Sequence, residues 1–506
     1  MLAVALCAQA PPPPTVAQIL AHHRAALTAL HLHDLPVYEE TGTFEGLGLQ
    51  GTFHEWKDGD SDRRDAQLGI RASTTLRIGD RIWVKDENGA VRELLGIAKR
   101  RQVTEDFIGS PEFVSEPQYS SYAGETTLGD GRRVYLLKVA PKGGEPYTVA
   151  IDAQSWLIVQ LSYTDVDGQS DATLSDIRVV DGVIVPFVEV DSNGDSAYAV
   201  TGRVTSVQPE RTIDKSVFAP LVANDVTNTT PVTVSFELRD GLPVVPVQIR
   251  GKTYHFLLDS GSQTDALDEG LVHALGLQPQ GILEVSGAKR TASGGVVNLP
   301  GMSIGGATLP MHVDAVLDLS HMMRKGGVDG ILGYPLFGAA DVRIDPDART
   351  LTIAAPGTLP AQGAKLDVDT DRGLSDVKVT IDGEPTRVLF DTGDANELLL
   401  FQSFLSAYPG LISSLKGKDE RGLGIGGTIN TRAASVENLT IGPYALYNRR
   451  AVVVLTSVGA FADRNDGGNV GYGTLQNFNL TFSLPNHAIY LQPDAGFDNG
   501  RFRVTH

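Results

Sequence analysis

A long internal repeat constrains this chain more than any other feature of its sequence. The stretch VQIRGKTYHFLLDSGS contains Asp259 and has the same layout as VTIDGEPTRVLFDTGD, which contains Asp391, 132 residues later. Downstream, DGILGYPLF corresponds to GGNVGYGTL, and Gly333 matches Gly471 at a separation of 138 residues. A repeat this long is a duplicated domain rather than a solenoid unit. Two such lobes facing each other across a pseudo-twofold axis would bring Asp259 and Asp391 together.

The rest of the chain favours a mostly β fold. Its 506 residues exceed one ordinary core, and 55 glycines and 27 prolines indicate many turns. Thr15 and Gln18 have the spacing of a capping box at the start of an amphipathic helix. From Tyr38 to about Phe218, short alternating runs separated by turn residues predict an antiparallel meander. We therefore expect a helix-plus-antiparallel-sheet domain followed by two β lobes.

Changes in composition suggest the boundaries of these units. We predict a leader at residues 1–14, an N-terminal β-rich domain at 15–220, a first lobe at 232–356 and a second lobe at 364–506. The turn-rich stretch LVANDVTNTTP precedes the first lobe, and AAPGTLPAQGAK separates the two lobes.

Charge and cysteine content exclude several classes of function. The formal charge of −19 disfavours nucleic acid as a partner. Cys7 is the single cysteine, which excludes an intramolecular disulfide and any multi-cysteine metal site. Cys7 lies in MLAVALCAQAPPPP, whose apolar run is shorter than the ~20 residues that cross a bilayer. This run resembles the back half of a secretory signal, so we expect a periplasmic, envelope-associated or secreted protein. Lipidation of Cys7 and an N-terminus without any targeting role are the alternatives.

The paired motifs resemble the aspartic proteases. Asp-Ser-Gly at 259–261 and Asp-Thr-Gly at 391–393 each follow apolar strand residues and precede a glycine some 75 to 80 residues later. Either tripeptide alone is also typical of a turn that ends a strand. Together, from Val232 to the C-terminus, they resemble bacterial retropepsin-like enzymes, with two lobes in one chain. The resemblance implies a bilobal pair of acid-protease β-barrels.

The N-terminal region resembles a second family in pattern. A helix followed by repeated hairpins is similar to the half-barrel lipid carriers of periplasmic lipoprotein sorting, in which a curved sheet wraps a helix. This resemblance implies no catalytic motif. It makes lipid or envelope association through this domain an expectation.

The protease resemblance assigns roles to single residues. Asp259 and Asp391 would be the catalytic pair, holding an attacking water between them, because two carboxyls can supply both a base and an acid. Close carboxylates resist double ionisation, so such a pair shares one proton. The resemblance assigns support of the active-site loops to Ser260, Gly261, Thr392, Gly393, Gly333 and Gly471.

The resemblance also implies a hairpin flap over the site in each lobe. In the first lobe the candidate is VSGAKRTASGG, with Ser286 and Gly287. In the second lobe it is RGLGIGGTIN, for which a plain hairpin turn is the alternative. The flap or substrate-binding candidates there are Gly424, Ile425, Gly426 and Gly427.

One position departs from the family pattern. After the tripeptide the family has a small residue, and Ser262 fits, whereas the second lobe has Asp394. A third carboxylate near the pair would raise the pKa of its members. Pointing to solvent, Asp394 would have no such effect.

These observations lead to the hypothesis of an aspartic endopeptidase that binds extended peptide segments and needs no metal or cofactor. Two lobes in one chain also suggest a monomer. The alternatives are a non-catalytic peptide- or lipid-binding protein of the cell envelope, or two aspartates that merely cap turns. The chain contains no His-Glu-x-x-His motif, which disfavours a zinc peptidase.

Overall fold

The structure is a computed structural model that describes residues 13–27, 30–31, 35–165, 168–209, 212–228, 230–287, 290–309, 312–323, 327–370, 372–412, 419–425, 427–457, 459–495 and 497. Cys7, Gly426 and most of the predicted leader lie outside these residues. Within them, strands predominate and form three large sheets and one small one. The prediction of a mainly β fold, with a helix and antiparallel sheet preceding curled sheets, is confirmed.

The N-terminal part is one antiparallel sheet of fourteen strands with three helices. Its spatial order is β7-β6-β5-β4-β3-β2-β14-β13-β12-β11-β10-β9-β8, and the short β1 runs parallel to β13. The strands are β1 (Leu30–His31), β2 (Val37–Gly46), β3 (Leu49–Asp58), β4 (Ser61–Leu68), β5 (Arg71–Ile78), β6 (Arg81–Lys85), β7 (Val91–Glu93), β8 (Ser120–Thr127), β9 (Arg133–Val139), β10 (Tyr147–Asp152), β11 (Ile158–Asp165), β12 (Gly168–Val180), β13 (Val183–Ser192) and β14 (Val200–Pro209). The helices are α1 (Val16–Ala26), α2 (Gly96–Ile108) and α3 (Glu112–Ser115).

Helix α1 begins at the predicted capping box. The Thr15 hydroxyl accepts from Gln18 N, and Gln18 Oε1 accepts from Thr15 N at 2.9 Å, which satisfies two donors of the first turn. The helix buries Ile19 and Leu20 against a core that includes Phe113. Burial of each such side chain contributes about 1.5–3 kcal/mol, so packing holds α1 on the sheet.

Helix α2 lies across one face of the same sheet. Arg77 on β5 donates to Asp106 at 2.8 Å, and Tyr147 on β10 donates to Glu105 at 2.6 Å. Because β5 and β10 are far apart in the strand order, α2 spans most of the width of the sheet.

The first lobe contains a nine-stranded sheet and a separate hairpin. The strands from here to the second lobe are β15 (Val232–Ser235), β16 (Glu237–Arg239), β17 (Leu242–Ile249), β18 (Lys252–Leu258), β19 (Ala266–Asp268), β20 (Leu283–Ser286), β21 (Arg290–Ser293), β22 (Val296–Leu299), β23 (Ser303–Ile304), β24 (Ala307–Thr308), β25 (His312–Leu317), β26 (Gly330–Leu332), β27 (Asp341–Asp345) and β28 (Thr350–Ala354). The helices are α4 (Glu269–Ala274) and α5 (Tyr334–Phe337). Strands β20 and β21 form the separate hairpin, while β15, β27 and β28 belong to the next sheet.

The second lobe adds ten strands and three short helices. The strands are β29 (Ala364–Asp369), β30 (Asp376–Ile381), β31 (Glu384–Asp391), β32 (Leu398–Leu400), β33 (Asp419–Gly424), β34 (Gly427–Ile441), β35 (Tyr444–Val454), β36 (Gly468–Gly471), β37 (Phe478–Ser483) and β38 (Ala488–Pro493). The helices are α6 (Gln402–Ala407), α7 (Pro409–Ile412) and α8 (Tyr472–Leu475).

One continuous sheet joins the two lobes. Its order begins β15-β28-β27-β37-β38-β29, so strands of the first lobe pair directly with strands of the second. Val342 of β27 is opposite Phe482 of β37, and both side chains are fully buried in a core that the lobes share. The lobes therefore form one packed body.

The N-terminal domain contacts the first lobe beside its β20–β21 hairpin. Leu47, at the tip of the β2–β3 hairpin, accepts from Ile282 N at 2.9 Å. Asn193 Nδ2 donates to Glu284 Oε2 on β20 at 2.6 Å. Val226, within the stretch expected to be a linker, is buried and donates to a backbone carbonyl of the first lobe. This connection is packed against the lobe over part of its length.

Candidate active site

Two equivalent loops carry Asp259 and Asp391 at the ends of buried strands. Phe256 to Leu258 are completely buried on β18, which pairs in parallel with β26, and Asp259 N donates to Leu332 O at 2.9 Å. In the second lobe β31 pairs in parallel with β36, where Asp391 is opposite Gly471. The apolar runs before each acid thus anchor it at the end of a central strand.

Hydroxyl groups lock the two loops to each other. Ser260 Oγ donates to Phe390 O at 2.6 Å, and Thr392 Oγ1 donates to Leu258 O at 2.7 Å. Each hydroxyl also accepts from the opposite backbone, since Ser260 N is 2.9 Å from Thr392 Oγ1 and Thr392 N is 3.1 Å from Ser260 Oγ. Four buried hydrogen bonds therefore fix the separation of the loops.

The two carboxyl groups meet at the junction of the lobes. Asp259 and Asp391 are within hydrogen-bonding reach of each other. Each also accepts from its own loop, because Gly261 N donates to Asp259 Oδ1 and Gly393 N donates to Asp391 Oδ1, both at 2.9 Å. Such a pair can hold one proton between two carboxyl groups.

Close approach, rather than an unusual backbone angle, explains the two glycines of the tripeptides. Neither Gly261 nor Gly393 has a left-handed backbone conformation. A Cβ atom at Gly261 would lie 2.5 Å from Asp391 Cγ, and one at Gly393 would collide with Asp259 Cγ. Each glycine therefore leaves room for the carboxyl of the opposite lobe.

The downstream glycines lie under the loops, as the family resemblance implied. A Cβ at Gly333 would lie 2.6 Å from the carbonyl oxygens of Ser262 and Thr264. A Cβ at Gly471 would collide with Asn396 O and lie 2.6 Å from Asp394 O. Larger residues at either position would push the loop out of place.

Burial and mutual repulsion shift the acidity of the pair. Burial raises the pKa of Asp259 to about 6, although hydrogen bonds from Asp391 and Gly261 partly oppose the rise. The pKa of Asp391 is raised well above its usual value, first by burial and then by the charges of Asp259 and Asp394. The protons of the pair therefore leave in separate steps that belong to both carboxyls, and the charge of Asp394 favours the proton on Asp391.

Two polar residues near the pair belong to the second lobe alone. Asn469 Nδ2 donates to Asp391 Oδ2 at 2.7 Å, a contact that the sequence did not predict. Asp394 Oδ1 accepts from Asn396 N at 2.9 Å and from Asn396 Nδ2 at 2.6 Å. The sequence contains one indication of the Asn469 contact, because Asn469 occupies the position that the apolar Ile331 has in the first copy of the repeat.

Two hairpins occur where flaps were expected, and their tips touch. Ser286 ends β20, and the adjacent Gly287 O accepts from Ala460 N at 3.0 Å. Gly424 pairs with Gly427 at the tip of β33–β34, and a Cβ at Gly287 would lie 2.7 Å from Ile425 Cβ. The hairpins of the two lobes therefore meet each other.

The buried histidine of the N-terminal domain is not part of the carboxyl pair. His23 is buried in the N-terminal core, with Nδ1 2.7 Å from Trp156 O. Among the residues that the structure describes, no three His, Cys, Asp or Glu side chains are grouped so that they could hold a metal ion. Within the same residues, no helix combines the length and apolar character needed to cross a membrane.

Comparisons with solved structures give matches to both parts of the chain. A putative outer membrane lipoprotein-sorting protein domain from Vibrio parahaemolyticus is 11% identical, covers 40% of this chain and 95% of its own, and has a TM-score of 0.28. A LolA superfamily protein from Nitrosomonas europaea is 12% identical, covers 41% of this chain and 99% of its own, and has a TM-score of 0.29. A retropepsin-like aspartic protease from Rickettsia conorii is 14% identical, covers 26% of this chain and 91% of its own, and has a TM-score of 0.21.

A comparison with protein families finds a match in each of the two lobes. No curated protein matches the chain. The aspartyl protease family model matches residues 245–336 and again residues 377–472, and each match contains one of the paired tripeptides. Each lobe thus matches the same aspartyl protease family model, in agreement with the resemblance found in the sequence.

Proposed function

We propose that this protein is an aspartic-type endopeptidase whose catalytic groups are Asp259 and Asp391. The observation that carries the proposal is the contact of these two carboxyls at the junction of the lobes, held by reciprocal hydrogen bonds of Ser260 and Thr392. A pair of turn-capping aspartates would need no such cross-lobe arrangement. The double match to the aspartyl protease family supports the same conclusion.

The geometry suggests a division of labour between the two acids. Asp259, with the lower pKa, would accept a proton from the attacking water, while Asp391 donates its proton to the carbonyl oxygen of the peptide bond. The water oxygen bonds to the carbonyl carbon, giving a neutral diol. The C–N bond then breaks as Asp259 returns its proton to the amine nitrogen and a diol hydroxyl returns a proton to Asp391.

The substrate would be an extended peptide segment. The paired hairpins that meet near Gly287 and Ile425 would have to part and close again over the peptide. A strand-like peptide could use backbone hydrogen bonds to such hairpins. No cofactor or metal enters this scheme.

Hydrolysis of an unfolded protein tests the proposal. Casein would be incubated with the wild-type protein between about pH 3 and 8, and with Asp259→Asn and Asp391→Asn separately. Each substitution removes one half of the acid–base pair, so we expect a loss of at least about 10³-fold in kcat/KM for either variant. Asp367→Asn is the matched control, because the Asp367 carboxyl is 93% exposed.

Two results would contradict the proposal. One is hydrolysis that survives either substitution at the pair. The other is peptide binding without turnover at any pH, which would favour the non-catalytic binding protein. Thermal unfolding of each variant shows whether it is folded.

The cellular setting and the other predicted units stay proposals. Export rests on the apolar run that contains Cys7, and N-terminal sequencing of the mature protein would locate any cleavage. Lipid association through the N-terminal domain and a monomeric state are likewise proposed. Sedimentation with and without lipid vesicles tests both.

A further inference from the structure

The two lobes differ at two positions next to the carboxyl pair. Position 262 of the first lobe is Ser and its equivalent is Asp394. In the strand beneath, Leu257 is paired with Ile331, whereas the equivalent Leu389 is paired with Asn469. Both polar replacements are therefore confined to the second lobe, and both flank the same acid.

These two replacements lie against each other. Asn469 Nδ2 donates to Asp391 Oδ2 at 2.7 Å, and the same side chain faces the carboxyl of Asp394. Among the described residues, Asp394 Oδ2 and Asn469 Oδ1 are buried without a hydrogen-bond partner. The Asn469 amide thus stands between two carboxyl groups, one of which belongs to the pair.

No cation balances this group of carboxyls within the part of the chain that the structure describes. The nearby acids are paired elsewhere, because Glu397 accepts from Arg450 at 3.1 Å and Asp466 pairs with Arg372. Tyr472 N donates to Asp394 O, but the Tyr472 hydroxyl faces Arg349 and Asp345. The charges that raise the pKa of Asp391 are those of Asp259 and Asp394.

We propose that Asp394 is a positioning residue that makes the two acids unequal, keeping the shared proton on Asp391 and extending the working range of the pair toward neutral pH, while Asn469, which donates to Asp391, limits the effect. The inference rests on the proposed peptidase function. Asp394 acts through Asp391 and needs no contact with substrate.

The sign of the effect follows from charge. An ionised Asp394 disfavours a second negative charge on Asp391, so Asp391 loses its proton at higher pH. Burial raises the pKa of Asp394 as well, while hydrogen bonds from Asn396 and Asn469 oppose that rise and favour its charge. Asn469 thereby lets a third carboxyl stay ionised beside the pair.

A carboxyl-carbon NMR titration of aspartate-labelled protein tests the inference without requiring turnover. In Asp394→Ser, which installs the first-lobe residue, we expect the pKa of Asp391 to fall by about 1 unit. The alkaline limb of kcat/KM should move toward acid by the same amount. Asp394→Asn keeps the shape of the side chain and replaces the serine variant in this test if that variant does not fold.

Substitution of Asn469 separates its effect on the pKa of Asp391 from that of Asp394. Asn469→Ile removes a donor from both carboxyls, so the pKa of Asp391 should rise and Asp394 should titrate at higher pH. Asp394→Ser combined with Asn469→Ile should lower the pKa of Asp391 relative to Asn469→Ile alone. Ser262→Ala in the first lobe is the matched control, and it should leave the pKa of Asp391 in place.

The outcomes distinguish this inference from the proposed function. Hydrolysis with an unmoved Asp391 pKa and an unmoved alkaline limb in both Asp394 variants overturns the inference. A shifted pKa in a protein that cleaves no peptide overturns the proposed function, while supporting the coupling of Asp394 to Asp391.

Discussion

Three buried carboxyls at one site cost the folded protein stability at neutral pH. Asp259, Asp391 and Asp394 all have pKa values raised primarily by burial. An aspartate in the unfolded chain ionises near pH 4. Because the folded pKa is higher, the stability is fully present below about pH 4 and is lost as the pH rises through the folded values.

Replacing Asp391 by Asn should therefore stabilise the protein above pH 6. The amide cannot ionise, so the cost of charging Asp391 beside Asp259 disappears. Each unit of pKa shift corresponds to about 1.4 kcal/mol, and we expect the Tm at pH 8 to rise by at least about 2 °C. Scanning calorimetry at pH 8 and pH 3 measures this.

The same variant should melt like the wild type at pH 3, where Asp391 is protonated in both states. Asp367→Asn, at an exposed carboxyl, should leave Tm unchanged at both pH values. A gain at pH 3 as large as that at pH 8 would mean that charge is not the cause.

Among single residues, the sequence predicted the paired aspartates and the glycines of their loops, but not the side chains that contact them. Asp259 and Asp391 are detectable because each carries a tripeptide that the repeat places twice. Asn469 occupies a position at which the first copy of the repeat has the apolar Ile331. Its contact with Asp391 depends on the register of β31 and β36, which sequence spacing does not determine.

The hairpins that meet over the lobes are the elements with the most direct bearing on substrate entry. Ile425, at the tip of β33–β34, packs against a first-lobe cluster together with Leu283 and Val285 of β20. Glycine-rich sequence was sufficient to predict the second hairpin. The contact between the tips was not predictable, because it joins segments far apart in the chain.

Ile425→Ala should weaken the closed arrangement of the hairpins. The substitution removes apolar contact with the first lobe but leaves the carboxyl pair untouched. We expect KM for a peptide substrate to rise about 3- to 10-fold, a loss of about 1 kcal/mol, with Tm within about 2 °C of wild type. Steady-state kinetics on a fluorogenic peptide gives the two constants separately.

Ile78→Ala is the control for this variant, since Ile78 is 40% exposed on a strand of the N-terminal sheet. A fall in kcat with unchanged KM in Ile425→Ala would show that the tip acts on chemistry rather than on closure.

The face of the N-terminal sheet beneath α2 is rich in acids. Burial, with repulsion from Glu55, raises the pKa of Glu40 to about 8 and that of Asp62 to about 7. Glu105 of α2 also has a raised pKa, mainly through burial. The lipid association suggested by the sequence pattern stays a prediction.

At the scale of the whole molecule, the N-terminal domain contacts the β20–β21 hairpin of the first lobe. Leu47 and Asn193 contact Ile282 and Glu284, at the base of the strand whose neighbour Gly287 meets the other hairpin. Sequence patterns predicted the order of the three units. They contained no signal for this docking, because the contacts use turn residues and backbone groups.

Asn193→Ala should loosen the first-lobe hairpin without unfolding either domain. It removes the 2.6 Å hydrogen bond to Glu284, and a hydrogen bond to a carboxylate contributes about 1.5–3 kcal/mol. Hydrogen exchange of a peptide covering residues 283–287 should become several-fold faster. Gln169→Ala is the control, since the Gln169 side chain donates to its neighbour Asp171 on an exposed strand.

Unchanged exchange at 283–287 in Asn193→Ala would mean that the N-terminal domain does not restrain the hairpin. Faster exchange throughout the chain would instead indicate general destabilisation.

The sheet shared by the lobes has a consequence for regulation. Because β27 and β37 pair within one polypeptide, the second half of the site is always present at high effective concentration. Dilution cannot separate the halves, whereas a site built from two identical chains would empty as the protein became scarce. A change in protein concentration therefore neither assembles nor disassembles this site.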